Sequence, residues 1–405
     1  MSESSAQCVA LAQRLFVPTY LPRAIILERG EGSRVWDRDG RDYIDLAAGI
    51  AVNALGHANP LLQKVLSEQA AKLWHTSNVF LSEPPIRLAE ALLMTAPFAD
   101  RVFLCNSGAE ANEAAIKLAR RHASQQGRDP DHRVILTFRG SFHGRTLATV
   151  TATAQPKYQA GFEPLPGGFR YGELNCIDQL DGVMTEDVCA VLVEPIQGEG
   201  GVVPCAPGFL AELRLRCDRI GALLILDEIQ CGMGRTGKLF AHQWENVRAA
   251  VVTLAKALGA GFPIGAMLVG PVASKVLDFG SHGTTFGGNP LAAAVALAAL
   301  REISSAVVLD NVIHREQQFR AGLQQLNKEF ELFAEVRGRG LMLGAQLAPA
   351  YSGRAAGLLD AAAAERLLLL QAGPDVLRLV PALNITEDET AEGMARLRSA
   401  ILRWR

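Results

Sequence analysis

The residues best suited to chemistry in this chain are an aspartate and a lysine that close two apolar runs. Asp227 ends Ala222-Leu-Leu-Ile-Leu-Asp227, and Lys256 follows the run 251–255, 29 positions further on (256 − 227). A lysine amine can condense with an aldehyde, and a carboxylate set against a heterocyclic nitrogen keeps that ring protonated and able to draw electrons. Either residue alone at the end of a strand is usually just solvated. Two such ends placed side by side would converge on one ligand.

A third segment, Asn106-Ser-Gly-Ala-Glu-Ala-Asn112, follows another apolar run and opens a helical pattern. Its small residues let backbone amides approach an anion, Ser107 adds a hydroxyl, and the helix N-terminus adds a favourable dipole, a combination that suits a phosphate. An ordinary helix cap would use the same residues. Phe142-His-Gly-Arg-Thr146 supplies a flat ring able to stack on a planar ligand and, in Arg145, a guanidinium for a carboxylate. Of the eight histidines, only His143 stands near this chemistry.

Groups of this kind need a sheet to hold them. The runs 101–105, 134–138, 190–194, 222–227, 251–255 and 264–269 read as buried strands, with helical patterns such as 109–121 and 209–219 between them. That alternation predicts an α/β fold with a largely parallel sheet covered on both faces and a ligand site at the C-terminal ends of its strands. Earlier in the chain, 34–46 reads as a hairpin turning at Asp39-Gly40. Its Asp37, Asp39, Gly40 and Asp42 lack the ligand order and the closing Glu of a calcium loop. After the Gly-rich stretch 284–290, a long Ala/Leu helix leads into a C-terminal unit that begins near residue 320.

With 405 residues, 49% of them hydrophobic, 20% charged and 38 Gly, the composition is that of a globular enzyme with a large core and two or three structural units. A formal charge of −2 provides no cationic field for nucleic acid. The densest basic stretch, Lys117, Arg120, Arg121, His122 and Arg128, sits near a helix end, where cations complement exposed carbonyls. Seven scattered cysteines without a C-x-x-C pair indicate reduced thiols, and no apolar run approaches the ~20 residues of a membrane span. The expectation is a cytoplasmic protein with no signal peptide, membrane or nucleic-acid partner. No metal is expected either, since H-E-x-x-H and paired Cys ligands are missing. Gly232-Met-Gly-Arg-Thr-Gly-Lys-Leu239 imitates nucleotide loops, but Leu239 replaces the Ser or Thr that would hold magnesium, and Glu-Ile-Gln-Cys separates the motif from the strand that ends at Asp227.

Taken together, these segments resemble the class III, fold-type I aminotransferases, and most closely the acetylornithine/succinylornithine aminotransferase family. The resemblance spans nearly the whole chain. It further includes Leu55-Gly-His-Ala-Asn-Pro60, Trp74-His-Thr-Ser-Asn-Val-Phe80, Glu194-Pro-Ile-Gln-Gly-Glu-Gly-Gly201, Leu226-Asp-Glu-Ile-Gln-Cys-Gly-Met-Gly-Arg-Thr-Gly237, Lys256-Ala-Leu-Gly259 and Gly283-Thr-Thr-Phe-Gly-Gly-Asn-Pro290. It implies pyridoxal 5'-phosphate (PLP) as cofactor and a homodimer with its active sites at the subunit interface. A large PLP-binding domain over 61–319 would be joined by a smaller α+β domain made from 1–60 and 320–405.

The resemblance also implies roles by position. Lys256 would hold the cofactor covalently and transfer protons, Asp227 would face the pyridine nitrogen, Gln230 the ring hydroxyl, and Phe142 would stack. Ser107, Gly108 and Ala109 would hold the phosphate, with Thr285 reaching it from the neighbouring subunit and Thr284 near the substrate. Arg145 would take the carboxylate of an acylated ornithine and Arg378 that of glutamate, with Glu199 covering Arg378 when glutamate is absent. The implied reaction moves the terminal amino group of N2-acetyl- or N2-succinylornithine to 2-oxoglutarate, as a step of arginine metabolism. Ornithine and 4-aminobutyrate are the alternative donors. Lyases and decarboxylases have no obvious need for the Glu199 and Arg378 pair, and a catalytically silent relative would be expected to lose Lys256 or Asp227. Two positions depart from the pattern. Ala109 stands where many relatives have Thr, removing one phosphate contact, and Ile50 stands where ornithine aminotransferases carry a Tyr for the free α-amino group, which favours an acylated donor.

Overall fold

The computed structural model describes residues 4–405, so the first three residues of the expected 1–60 segment lie outside the described residues. At its centre is a seven-stranded sheet in the order Arg101–Cys105, Gly265–Val269, Val251–Leu254, Leu223–Asp227, Val188–Val193, Val134–Phe138 and Phe169–Gly172. The last five run parallel to one another, while Gly265–Val269 is antiparallel to both its neighbours. Every residue of Val188–Val193, Leu223–Asp227 and Val251–Leu254 is buried, as near-continuous apolar strands covered on both faces must be.

The covering helices follow from local sequence. Gly108–Gln125 is capped by Ser107 and packs a stripe of small residues, Ala111, Ala114, Ala115 and Ala119, onto the sheet, which lets the helix axis come close. Phe209–Ile220 buries Phe209, Leu210, Leu213 and Cys217, at helical spacing, against the strands Val188–Val193 and Leu223–Asp227. Register then delivers the chemistry. Ile225 pairs with Val251 and Asp227 with Thr253, so the ends of these strands put Asp227 and Lys256 at one edge. Glu194 follows Val193, which lies opposite Leu226.

The remaining sheets join distant parts of the chain. The hairpin Arg34–Asp37 and Asp42–Asp45 turns at Gly40, at φ 80°, and Leu367 pairs with Ile44 beside it. A second four-stranded sheet orders Phe333–Arg339, Met342–Leu347, Val376–Leu379 and Leu370–Gln371, with Gly344 opposite Arg378. The helix Glu387–Trp404, capped by Thr386, packs against Ala355–Ala364 and Ala306–Phe330. Residue 320 lies inside the continuous helix Ala306–Phe330, not at a chain break between elements.

Candidate active site

At the strand C-terminal edge is a cavity of about 400 Å3 lined by Ser107, Gly108, Ala109, Phe142, His143, Arg145, Asp227, Gln230 and Lys256, each of them singled out in the sequence, together with Glu194 and Ile229. Asp227 is almost wholly buried and held from three sides. Its Oδ2 accepts from Asn112 Nδ2 and pairs with His143 Nδ1, each at 2.8 Å, and its Oδ1 accepts the Ile229 main-chain N–H at 3.1 Å. Asn112 is itself fixed: its Oδ1 accepts from Thr253 Oγ1 at 2.8 Å, and its Nδ2 also donates to the His143 carbonyl at 2.8 Å. A carboxylate so oriented is preorganised to face a cationic ring, because little side-chain freedom remains to be lost on binding.

Lys256 sits at φ 45°, in the left-handed region, where a residue with a Cβ carries strain of order 1–3 kcal/mol. The Gly259 turn behind it is crowded, since a Cβ there would stand 1.8 Å from the Phe262 carbonyl oxygen. Burial pushes the Lys256 amine down to about 8, with Glu199 opposing that shift and Arg378 adding to it. Such an amine offers a much larger free-base fraction near neutrality than a solvated lysine does. Glu194 moves the other way. Burial, with the Asp227 charge adding to it, raises its carboxyl above the ordinary value, against His143 and the Phe142 and Gly198 main-chain N–H groups, which its carboxyl oxygens accept at 2.9 and 3.3 Å.

The residues present fit PLP. Ser107 Oγ takes the Glu110 N–H and the Ser107 carbonyl takes that of Ala111, which leaves the first helical N–H groups, at Gly108 and Ala109, for an anion. Gly108 is constrained to glycine by space, because a Cβ would lie 2.8 Å from the Ile229 side chain. Phe142 and Ile229 provide apolar walls, Asp227 the acid and Lys256 the amine.

Glu199 and Arg378 do not line the cavity but connect to it through Gln230. Arg378, 2% exposed, forms an ion pair with Glu199 Oε1 and donates to Gln230 Oε1 at 3.1 Å and to the Gly198 carbonyl at 3.2 Å. Gly198 gives the Gln230 amide its room, since a Cβ would stand 2.3 Å from Gln230 Oε1 and push that side chain aside. Burial alone would raise Glu199, but the Arg378 guanidinium outweighs it and holds the carboxyl below its ordinary value.

Two further residues stand elsewhere. Thr284 Oγ1 accepts from Asn106 Nδ2 and the Gly287 N–H, both at 3.2 Å, beside the turn at 106–109, and Thr285 is exposed, outside this chain's cavity. Ile50 is 43% exposed and also outside it. The 232–237 segment that imitates a nucleotide loop is packed into the core, where Arg235 donates to the carbonyls of Leu341 and Pro381. The linkage of Asn112 to Asp227 was not foreseen. Its only sequence signal is an amide on the buried, otherwise alanine-rich face of its helix.

Residues 17–401 match the family model of class-III aminotransferases. The acetylornithine aminotransferase of Xanthomonas campestris pv. campestris is 64% identical over 402 residues, covering 99% of this chain and 98% of that protein. The succinylornithine transaminase of Yersinia enterocolitica is 50% identical over 390 residues, covering 95% and 94%. Among solved structures, the N-acetylornithine aminotransferase from Stenotrophomonas maltophilia K279a superposes with a TM-score of 0.87 at 55% identity, covering 98% of both chains.

Proposed function

From the premise that this chain belongs to the class-III aminotransferase family, whose members work through PLP, we propose that its amino donor is an N2-acylornithine and its acceptor 2-oxoglutarate. When bound, PLP supplies an aldehyde that captures amino groups and a protonated ring that draws electrons from the adjoining carbon. On this reading Gly108 and Ala109 hold the phosphate with Ser107 at the helix cap, Phe142 stacks on the ring, Asp227 keeps its nitrogen protonated, and Gln230 meets its hydroxyl. Lys256 holds the cofactor until substrate arrives, and its amine then takes up and returns the proton of the substrate carbon that bears the amino group.

The observation that carries the proposal is the ion pair of the buried Arg378 with the partly buried Glu199 behind Gln230. With that pair closed, Arg378 is neutralised and a terminal amine is free to enter while Arg145 takes the donor's carboxylate. When glutamate binds, its α-carboxylate displaces Glu199 from Arg378, and its side-chain carboxylate falls to Arg145. One cavity thereby serves two unlike donors in turn.

The same reading makes the working unit a homodimer in the cytoplasm, with Thr285 completing the neighbouring subunit's phosphate site and Thr284 near the substrate. The large and small domains divide as 61–319 and 1–60 with 320–405. In support, large apolar side chains stand open on this chain, among them Phe80, Leu81 and Phe279. Among the described residues no single helix is long and apolar enough to cross a membrane.

The test is kcat/KM for N2-acetylornithine, N2-succinylornithine, ornithine and 4-aminobutyrate, in the native enzyme and in Glu199→Ala. An acylated donor is expected to lead by roughly tenfold or more, about 1.4 kcal/mol. In the variant the acylornithine half-reaction should lose more than the glutamate half-reaction. Preference for ornithine or 4-aminobutyrate overturns the donor, and equal losses in both half-reactions overturn the switch.

A further inference from the structure

Arg145 lines the cavity with its hydrogen-bond donors uncommitted: among the described residues it makes no hydrogen bond and no ion pair. Two aromatic rings stand beside it instead. Its guanidinium carbon lies 4.1 Å from the centroid of Tyr158 and 5.5 Å from that of Phe142. The two rings meet edge to face, 5.9 Å apart at 82°. Tyr158 sits on the short helix Pro156–Gln159, whose preceding residue, Gln155, donates from its side chain to the carbonyls of Gly140 and Ser141 at 3.2 and 2.9 Å. Gln159 in turn donates to the carbonyls of Thr151 and Thr153 at 3.2 and 2.9 Å. The loop that carries Phe142 and the helix that carries Tyr158 are therefore tied together.

An exposed arginine costs a ligand the entropy of freezing its long side chain. A carboxylate partner would freeze it in advance but would also occupy its donors and cancel its charge. A ring face does neither. It attracts the cation through its quadrupole and leaves the N–H edge open. The Lys157 amine, 4.6 Å from the same ring centroid, keeps the neighbourhood positive.

We propose that Tyr158 is a positioning residue, whose ring seats Arg145 so that the guanidinium meets the substrate carboxylate already oriented. The proposal rests on the reading that Arg145 receives that carboxylate. Tyr158→Phe keeps the ring and loses the hydroxyl, whereas Tyr158→Leu keeps apolar bulk and loses the quadrupole.

With holoenzyme, single-turnover reactions would compare N2-acetylornithine with the same molecule lacking its carboxylate, N-acetyl-1,4-diaminobutane, read by competition where turnover is slow. Tyr158→Leu should lower kcat/KM for N2-acetylornithine roughly three- to fivefold, mainly through KM, a size in keeping with a cation–ring contact at an exposed site. The carboxylate-free amine should change by less than about twofold, and Tyr158→Phe should behave as native. Equal losses for both amines, a Tyr158→Leu variant indistinguishable from Tyr158→Phe, or no loss at all would each overturn the proposal. Arg145→Ala separates the two levels. If it leaves the preference for the carboxylated amine intact, the reading of Arg145 itself fails. If it abolishes that preference while Tyr158→Leu does not, only the role of Tyr158 fails.

Discussion

Lys256 combines a left-handed backbone with an amine that burial brings down to about 8. In the cofactor-free protein, burial disfavours the ammonium, so the free base predominates above about pH 8, more than two units below the ordinary lysine value of 10.5. The rate at which cofactor-free enzyme captures PLP should therefore rise with pH and level off just above 8. Stopped-flow absorbance would measure it, and a rate still climbing steeply at pH 9.5 would mean that the amine is not desolvated. Lys256 and Asp227 were legible in the sequence because each closes an apolar strand. The bonds that orient Asp227 were not, although His143 was already placed near the chemistry, because Asn112 and His143 lie 115 and 84 positions away. No local pattern carries such pairings.

At the scale of elements, Asn112 is the pin between the helix Gly108–Gln125 and the sheet, joining Asp227, Thr253 and the His143 carbonyl. Removing the amide leaves buried polar groups without partners, each costing about 1–3 kcal/mol. Asn112→Ala should lower the thermal midpoint and weaken PLP retention together, as differential scanning calorimetry and cofactor absorbance after dialysis would record. A variant as stable as native that retains its cofactor would contradict the pin. Strands 101–105 and 134–138 were readable to the residue, because each is a compact apolar run bounded by polar residues. The antiparallel direction of Gly265–Val269 was not, since an apolar run carries no arrow. Phe169–Gly172 escaped notice because Phe-Arg-Tyr-Gly, at the sheet edge, is short and only partly apolar.

For the whole molecule, sequence pattern was silent on how the ends meet. The strand Leu367–Leu368 that joins the N-terminal hairpin has two residues, too few to show any periodicity. The proposed homodimer makes a linked prediction. If Thr285 serves the partner's phosphate site, cofactor binding and association reinforce one another. Thr285→Ala should then raise the PLP dissociation constant roughly tenfold, and its dimer should dissociate more readily when PLP is removed, as sedimentation velocity would detect. A stable native monomer with full cofactor occupancy would contradict the shared site.

On the proposed mechanism a single lysine of the cavity lining, Lys256, carries the cofactor. Reducing the purified holoenzyme with borohydride and mapping the peptides would locate the attachment, while Lys256→Ala is assayed alongside. The prediction is a single pyridoxyl group on Lys256 and loss of at least about a thousandfold in transamination rate, about 4 kcal/mol. A pyridoxyl group on any other lysine, or near-native turnover by Lys256→Ala, would contradict it.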